Sequence, residues 1–464
     1  MSTIAAISTP FGRGGIAVIR ISGENALNVA GKMFIPACGC DLREAKGGQA
    51  LYGKIVSEGE FIDDGIATVF LAPKSFTGED TVEISCHGGI LLTERVLKTA
   101  FDNGAVQAQA GEFSQRAFLN GKISLSEAEA IIGLIDAENE EKMKLSASHS
   151  AGVLKKRCDE IYGEIMRLVS AVYVRLDYPE EDLADVSDEE LLASLKHIYG
   201  DLSALEATYR HGKAVAEGVK TALIGKPNAG KSSILNALVG EDRAIVTPIA
   251  GTTRDIIEEK VNAGRVILRL FDTAGIREGA DEVEKIGIER AIKKSDEAEL
   301  IIAVFDTSAP LDEQDRQVLD LTRKSLNGGK CVIFALNKSD CGDSDMSEIL
   351  ALADGSGKNG SVCTVSALTG EGIEDIKKLA EAFFCEREIN YHGEAVLANA
   401  RQFSAVCAAK NAIGRAIDAL ENSFSSDVCG LDLEMALAAI GELDGRAVSS
   451  EITDTIFHNF CVGK

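Results

Sequence analysis

The stretch VKTALIGKPNAGKSS, residues 219–233, combines an apolar strand, a glycine loop and the start of a helix. Gly225, Gly230, Lys231 and Ser232 fit the pattern G-x-x-x-x-G-K-[ST]. The glycines let the backbone curl so that N–H groups point at phosphate oxygens. Lys231 places a positive charge at the β- and γ-phosphates, and the Ser232 hydroxyl can hold Mg²⁺. The stretch predicts a nucleoside triphosphate site at a helix N-terminus.

A chance glycine loop before a helix is the alternative interpretation. The apolar residues on both sides favour the phosphate site because they supply the strand and helix that the motif requires. They are residues 222–224 before the loop and Ile234, Leu235, Ala237 and Leu238 after it. The surrounding region alternates strands and helices, which is typical of a largely parallel sheet covered on both faces. Its strands are predicted near residues 220–224, 265–271, 300–305, 331–336 and 361–365.

Further motifs follow these strands, at the sheet edge where such folds bind ligands. The run Asp272-Thr-Ala-Gly275 can hold the Mg²⁺ shell through its carboxylate and contact a γ-phosphate through the Gly275 N–H. The Asp340 carboxylate of Asn337-Lys-Ser-Asp340 can accept two N–H bonds from a guanine edge. Adenine offers no matching pair, and sites of this type discriminate by ~10⁴ or more. Ser366-Ala-Leu368, after the last strand, matches a loop that contacts guanine O6 through backbone N–H groups. Together with Asp340, it predicts GTP rather than ATP.

The predicted nucleotide contacts form five groups along the chain. Ser232 and Thr253 are the predicted Mg²⁺ ligands, the second through a switch loop, Gly251-Thr-Thr-Arg-Asp255, that the γ-phosphate would order. The predicted GTP-binding residues are Asn228, Ala229, Gly230, Lys231, Ser232, Ser233, Thr247, Pro248, Ile249, Ala250, Gly251, Thr252, Thr253, Asp272, Thr273, Ala274, Gly275, Asn337, Lys338, Asp340, Ser366, Ala367 and Leu368.

Hydrolysis requires a group that the motifs do not supply. Ile276 stands where Ras-like GTPases have a glutamine that orients the attacking water, and an isoleucine cannot do this. Asn228 and the carbonyl-rich segment 247–252 suggest a monovalent cation placed where an arginine finger would put its charge. Glu284 is a candidate base acting through water, although from the residues alone a solvated helix carboxylate is the simpler interpretation.

The flanking regions have a different character. Residues 1–121 alternate short strands with an amphipathic helix, and their strand residues Arg20 and Glu83 would ordinarily lie on a solvated face. Residues 122–216 and 381–464 carry apolar positions at helical spacing. We therefore predict an α+β domain over 1–121 and a P-loop GTPase domain over 217–380. The latter is inserted in one helical domain made of 122–216 and 381–464, and two separate helical bundles remain the alternative.

Composition limits the functional classes. The chain has 464 residues and a net charge of −25, which weighs against a broadly basic nucleic-acid surface but not against a local basic patch. No apolar run is long enough for a membrane span and no secretion signal is present, so the default is a cytosolic protein. The 11 cysteines include only one close pair, Cys38-Gly-Cys40, a weak metal or redox signal, and reduced thiols are favoured.

With the motifs above and several others, the sequence resembles the MnmE (TrmE) family of tRNA-modification GTPases. The resemblance spans nearly the whole chain. The terminal FCVGK is its most family-specific part. The motifs are GKPNAGKS (225–232), GTTRD (251–255), DTAGIR (272–277), DEVEKIGIER (281–290), FCVGK (460–464), TPFGRGG (9–15), SFTGED (75–80) and GEFSQRAFLNGK (111–122).

The resemblance implies cofactors and partners. It implies a formyl-tetrahydrofolate-type ligand at Arg20, Glu83, Lys122 and Lys464, for which Arg, Lys and Glu are chemically suitable partners. It also implies a homodimer, with dimerisation assigned to the N-terminal domain, and a flavin-dependent partner of the MnmG (GidA) type that carries the FAD. The complex would place an aminomethyl or carboxymethylaminomethyl group on C5 of the wobble uridine of certain tRNAs. Cys461 could be a nucleophile or a buried thiol.

The resemblance further implies activation of the GTPase by K⁺. The matching ligand positions are Asn228, Thr247, Ile249 and Thr252, and Glu284 becomes the expected base. Two other functions stay open at this point. A ribosome-assembly GTPase would need an RNA-binding module or a second G domain, and neither can be placed in the sequence. A folate-dependent transferase with a regulatory GTPase would modify its substrate without GTP.

Overall fold

The computed structural model describes residues 2–177, 187–240, 259–270, 296–342, 344–422, 428–446, 456–458, 460 and 463. The chain divides into two compact units. The first comprises Met1–Ile132 with Gly441–Lys464, and the second comprises Gly133–Ile440. None of the helices in the described ranges combines the length and the apolarity that crossing a lipid bilayer requires.

The first unit contains a seven-stranded sheet in the order β3-β4-β5-β6-β2-β1-β7. All pairs are antiparallel except the pair of β1 with β7. The strands are β1 (Ile4–Ile7), β2 (Ile16–Ser22), β3 (Phe34–Pro36), β4 (Gln49–Ser57), β5 (Glu60–Phe70), β6 (Thr81–His87) and β7 (Val106–Gln107).

The second unit contains a six-stranded sheet in the order β13-β12-β11-β8-β10-β9. Every pair is parallel except β9 with β10, which confirms the largely parallel sheet expected from the sequence. The strands are β8 (Val219–Ile224), β9 (Glu259–Ala263), β10 (Val266–Leu270), β11 (Leu300–Asp306), β12 (Cys331–Asn337) and β13 (Gly360–Thr364).

The helices are numbered in chain order over the described residues, which also contain short 3₁₀ turns at Leu42–Glu44 and Gly357–Asn359. The α-helices are α1 (Ala26–Met33), α2 (Ile90–Asp102), α3 (Glu112–Leu119), α4 (Leu125–Ile135), α5 (Glu140–Ser150), α6 (Val153–Asp177), α7 (Asp188–Ala207), α8 (Tyr209–Glu217), α9 (Lys231–Gly240), α10 (Glu313–Asn327), α11 (Ser347–Gly355), α12 (Ile373–Phe384), α13 (Ala400–Glu421) and α14 (Cys429–Asp444).

The sheet of the second unit is buried on both faces, as its sequence pattern requires. β11 and β12 are almost continuously apolar, which is typical of central strands in parallel sheets. Ile302 and Ile333 belong to the core on one face, whereas Ile301 and Phe334 belong to the core on the other. The functional loops therefore extend from a rigid platform. Together with the α+β first unit and the helices, this confirms the predicted fold class.

Helices before and after the second sheet lie against each other. Lys196 of α7 forms an ion pair with Glu421 of α13 at 2.6 Å. Tyr209 of α8 stacks on Phe403 of α13, with ring centroids 4.2 Å apart. The two helical stretches are therefore packed together within the second unit.

The hairpin of β9 and β10 is tied to its surroundings at its turn. Arg265 donates to the Glu381 carboxylate of α12. It also donates to the backbone oxygens of Cys385, at 2.7 Å, and Arg387, at 2.9 Å. The Asn139 amide in turn donates to the Arg265 carbonyl at 3.2 Å. One arginine thus joins the hairpin to α12, to the chain that leaves α12, and to the residue that caps α5.

One cysteine pair differs from the expectation of reduced thiols. Cys38 and Cys40 form a disulfide, with their Cα atoms 5.5 Å apart, a separation usual for bridged cysteines. The intervening Gly39 has φ of +73°, a left-handed conformation that suits a tight turn.

A buried histidine belongs to the same region as the Arg265 contacts. His211 of α8 is 8% exposed, and its Nε2 lies 2.8 Å from the Tyr391 hydroxyl. Burial, together with the positive charges of Arg265 and Arg387, lowers the pKa of His211 to about 4. The imidazole is therefore neutral in the folded protein at neutral pH.

His211 should make stability depend on pH. Its pKa is about 4 in the folded chain and ~6.5 in the unfolded chain, so the unfolded state binds the extra proton between these values. The free energy of unfolding should consequently rise with pH across this window. The contribution is complete above pH ~6.5 and is lost on acidification to pH ~4, a difference of roughly 3 kcal/mol.

Denaturant unfolding between pH 4.5 and 7.5 would measure this effect. His211→Gln should flatten this part of the profile, because glutamine does not titrate. The exposed His392 provides a matched control, and His392→Gln should keep the wild-type slope. Parallel pH profiles for wild type and His211→Gln would contradict the assignment.

Candidate functional site

The phosphate loop, residues 225–232, connects β8 to α9 with an irregular backbone. Gly225, Asn228 and Gly230 have φ of +156°, +62° and +97°. These angles favour glycine, and asparagine tolerates them better than most residues. A Cβ on Gly230 would collide with the Asn337 side chain, so only glycine fits there. The Lys231 ammonium donates to the carbonyls of Gly225, at 2.9 Å, and Lys226, at 2.7 Å, and so lies over the loop.

Asn337 connects the phosphate loop to the loop after β13. Its side chain is buried at the end of β12, and its Nδ2 donates to the Ala229 carbonyl at 2.8 Å. Its Oδ1 accepts from the Ala367 N–H at 3.1 Å. The carboxyl ends of β8, β12 and β13 are therefore joined through one amide side chain. This geometry brings together three of the motifs predicted to contact GTP.

Asp340 and Lys338 are held on the same side of the sheet. The Ser366 hydroxyl donates to Asp340 Oδ1 at 2.6 Å, and this hydrogen bond is the main cause of a pKa of Asp340 below the usual carboxyl value. Asp340 therefore remains an ionised acceptor, as recognition of a guanine N–H edge requires. Lys338 has φ of +66°, and its ammonium pairs with Asp306 at 2.5 Å. Leu368 is 85% exposed, which fits a role through its backbone alone.

Other predicted residues lie outside the described residues. These are Thr247, Pro248, Ile249, Ala250, Gly251, Thr252, Thr253, Asp272, Thr273, Ala274, Gly275, Glu284, Cys461 and Lys464. Of the predicted Mg²⁺ ligands, Ser232 is described, at the first turn of α9.

Lys226, to which the sequence assigned no role, has specific partners. Its ammonium donates to Asp312 at 2.9 Å and to Asp315 at 2.7 Å. Burial alone would lower the pKa of Lys226, but the hydrogen bonds to these two carboxylates outweigh it and raise the pKa above its ordinary value. The lysine stays charged. The sequence did not single out Lys226, because its partners lie far along the chain.

In the first unit, Arg20 and Glu83 form a pair across neighbouring strands. They are register partners on β2 and β6, and their side chains approach within 2.8 Å. Both are partly exposed, at 18% and 27%. The Arg20 guanidinium also lies 5.5 Å from the ring centres of Phe76 and of Phe113. The two residues that the resemblance named are thus one oriented, solvent-accessible ion pair against aromatic rings.

Lys122 and the chain terminus lie in this unit as well. Lys122 Nζ donates to the Pro73 carbonyl at 2.9 Å, in the loop that carries Phe76. The Ser8 hydroxyl donates to the Gly463 carbonyl at 3.1 Å, directly after β1. Ser8 is two residues after Ala6 of β1, which is the register partner of Arg20 on β2. Gly463 is therefore held near the part of the sheet that carries Arg20.

Within the part of the chain that the structure describes, one group of possible metal ligands occurs between α6 and α7. Glu164, His197 and Asp201 each offer one ligand atom, and these atoms lie within 4.8 Å of one another. However, Asp201 already accepts from Arg157 at 2.5 Å, so a cation would have to displace a guanidinium. The cluster is best explained as surface ion pairing.

Two family models match this chain, and together they cover nearly all of it. The model described as the GTP-binding protein TrmE N-terminus matches residues 3–122, and that described as the MnmE helical domain matches residues 125–461. The tRNA modification GTPase MnmE of Clostridioides difficile (strain 630) is 39% identical over 463 residues, with 100% of this chain and 99% of the relative covered. The chain belongs to the MnmE family of tRNA modification GTPases.

Other MnmE relatives show the same extent of similarity. The tRNA modification GTPase MnmE of Thermoanaerobacter pseudethanolicus is 38% identical over 465 residues, with 100% of this chain and 99% of the relative covered.

Among solved structures, the G domain of the T. maritima FeoB iron transporter is 27% identical, with 36% of this chain and 98% of that chain covered and a TM-score of 0.25. Membership of the MnmE family decides against the ribosome-assembly alternative.

Proposed function

We propose that this protein is a K⁺-activated GTPase that works with a flavin-dependent, MnmG (GidA)-type partner. The nucleotide cycle would drive addition of an aminomethyl or carboxymethylaminomethyl group to C5 of the wobble uridine of certain tRNAs. Family membership already gives the general activity: the chain is a GTP hydrolase that acts in tRNA modification and uses Mg²⁺. The observation that carries the nucleotide assignment is the link from Ala229 through Asn337 to Ala367.

In the nucleotide step, each described loop has one task. Asp340 accepts from the guanine edge, and backbone N–H groups of the phosphate loop and Lys231 bind the phosphates. Ser232, with Thr253, would hold Mg²⁺ through hydroxyl oxygens. Bound there, Mg²⁺ supplies positive charge to the transferring phosphoryl group.

The remaining charge would come from K⁺. The proposed oxygen ligands are Asn228, Thr247, Ile249 and Thr252, and hard cations prefer such ligands. The left-handed backbone of Asn228 supports this proposal, because it is a non-glycine residue at a turn of the loop where glycine would cost less. Glu284 would accept a proton through a water molecule. We further propose that two G domains of a homodimer meet across this surface when GTP is bound.

In the first unit, the Arg20–Glu83 pair supports a folate site. A formyl-tetrahydrofolate presents an amide-like pterin edge and an anionic glutamate tail. Glu83 can accept from the former, and cationic groups at Arg20, Lys122 and Lys464 can pair with anionic oxygens. The aromatic rings beside Arg20 offer an apolar flank for a flat ligand. This unit would also hold the homodimer together, and FAD would be carried by the partner.

Calorimetric titration of 5-formyltetrahydrofolate tests the folate assignment. Saturable binding is expected for wild type, and Arg20→Ala should weaken it by about 10- to 100-fold, since hydrogen bonds to charged groups contribute roughly 1.5–3 kcal/mol. Arg95→Ala is the matched control, because it removes an exposed arginine–glutamate pair from the same unit. Absence of binding by folded wild-type dimer would remove folate from the proposal and leave the GTPase untouched.

A further inference from the structure

The side chain of Lys226 anchors the phosphate loop to a different element. Lys226 is the second residue of the loop, and its side chain is only 12% exposed. Its ammonium reaches the start of α10, where it contacts both Asp312 and Asp315. The loop is thus fixed at its first half by an ion pair and at Ala229 by Asn337. Asn228 lies between these two attachment points.

The two aspartates form a rigid acceptor for this lysine. Asp312 Oδ1 accepts from the Asp315 N–H at 3.0 Å, and Asp315 Oδ2 accepts from the Asp312 N–H at 3.1 Å, a reciprocal cap of α10. The Asp315 side chain is 2% exposed, and its Oδ1 has no hydrogen-bond partner among the described residues. A buried carboxylate with one unsatisfied oxygen depends on its counter-charge. Lys226 supplies that charge.

The backbone of Lys226 also contacts the catalytic machinery. Its carbonyl accepts from the Lys231 ammonium at 2.7 Å, so one residue joins α10 through its side chain and the phosphate-binding lysine through its backbone. The loop between Gly225 and Gly230 has no strand or helix of its own to hold it. A displacement of Lys226 would therefore move both Lys231 and Asn228.

We propose that Lys226 is a positioning residue of the GTPase: its ion pair with Asp312 and Asp315 fixes the phosphate loop and so places Asn228 for cation binding. The part of this proposal that concerns the cation rests on the proposed function, whereas the part that concerns nucleotide affinity does not. In this proposal Lys226 supports a metal ligand, Asn228, without contacting the cation itself. Loss of a supporting residue of this kind typically lowers metal affinity by about 10- to 100-fold.

Three variants test the proposal in the full-length protein. Lys226→Met removes the charge and keeps an unbranched chain, and Lys226→Arg restores the charge. Arg316→Ala is the matched control, because Arg316 is also on α10 and forms an exposed ion pair with Glu348 of α11. The measurements are the affinity for a fluorescent GDP analogue without K⁺ and the K⁺ concentration that half-activates GTP hydrolysis.

Lys226→Met should raise the half-activating K⁺ concentration by about 10-fold or more. It should also weaken binding of the GDP analogue by about 5-fold. This is the size of coupling expected between nucleotide binding and one contact that fixes the binding loop. Lys226→Arg should return both values to near wild type, and Arg316→Ala should change neither. Rescue by arginine separates positioning by charge from a general loss of stability.

Folded Lys226→Met with wild-type GDP affinity and wild-type K⁺ activation would overturn the proposal, as would a failure of arginine to rescue either value. If wild-type hydrolysis is equal in Na⁺ and K⁺, the proposed cation site fails separately, and GDP affinity alone then decides the role of Lys226. If Lys226→Met does not fold, Asp312→Asn replaces it. That change keeps the Asp315 contact and should shift both readouts in the same direction, and no shift would overturn the proposal.

Discussion

Replacing Asp340 with asparagine should convert the protein from a hydrolase of GTP into one that prefers xanthosine triphosphate. The guanine edge presents two donors, N1–H and the 2-amino group, to a carboxylate that accepts both. Ser366 donates to Asp340 Oδ1 and keeps the carboxylate oriented and ionised. The side-chain oxygen of asparagine would still accept from the Ser366 hydroxyl. Its NH₂ group, however, would face the 2-amino group of guanine, so that two donors would meet. Xanthine has a carbonyl at that position and accepts from asparagine.

The expected size of this effect follows from the number of unsatisfied groups. Sites built to hydrogen-bond a substrate reject analogues without the matching group by about 10⁴-fold. We expect kcat/KM for GTP to fall by roughly 10³-fold or more. Steady-state hydrolysis of both nucleotides would measure the reversal. Asp345→Asn is the matched control, because this exposed carboxylate is five residues away in the chain and accepts from the Ser347 N–H at 2.9 Å. Retained GTP hydrolysis in Asp340→Asn would show that another group recognises the base.

A second large effect is expected at Glu284, which lies outside the described residues. If Glu284 is the base, Glu284→Ala should bind GTP with nearly wild-type affinity but hydrolyse it about 10²- to 10⁴-fold more slowly, the usual contribution of a positioned general base. Glu282→Ala removes a carboxylate from the same Asp-Glu-Val-Glu-Lys run and serves as the control. Single-turnover hydrolysis beside equilibrium GTP binding separates the two steps. Wild-type turnover in Glu284→Ala would refute the base assignment.

The sequence predicted the elements whose apolar patterns are strong. β11 and β12 are marked by continuous hydrophobic runs, and β8 by apolar residues directly before the phosphate motif, and the structure has these strands as expected. The strand β9 was missed because Glu-Lys-Val-Asn-Ala contains only two apolar residues, Val261 and Ala263. β9 lies at the sheet edge, where alternate burial suffices for stability, so it carries no run that a sequence pattern could detect.

Pairings between distant residues could not be predicted in the same way. Arg20 and Glu83 each seemed to interrupt an apolar strand, and their meeting depends on the register of β2 against β6. Lys226 and Asp315 are 89 positions apart. Their contact depends on where α10 begins relative to the end of β8, which is a property of the assembled sheet. Only the resemblance to a family named Arg20 and Glu83, and no sequence signal named Lys226.

The Arg265 contacts have a mechanical consequence. β9 begins at Glu259, directly after the stretch that carries Thr253, and β10 ends at Leu270, two positions before Asp272. Along the chain, the hairpin therefore connects the two segments expected to respond to the γ-phosphate. A one-residue slip would turn every side chain of a strand to the opposite face, which fixes the register of β9 against β10.

The hairpin is held at both of its ends. The Arg265 contacts hold its turn, and at its open end Lys260 of β9 forms an ion pair with Glu138, just before α5. Any displacement of the hairpin must therefore move α5 and the chain after α12 with it, or break these polar contacts.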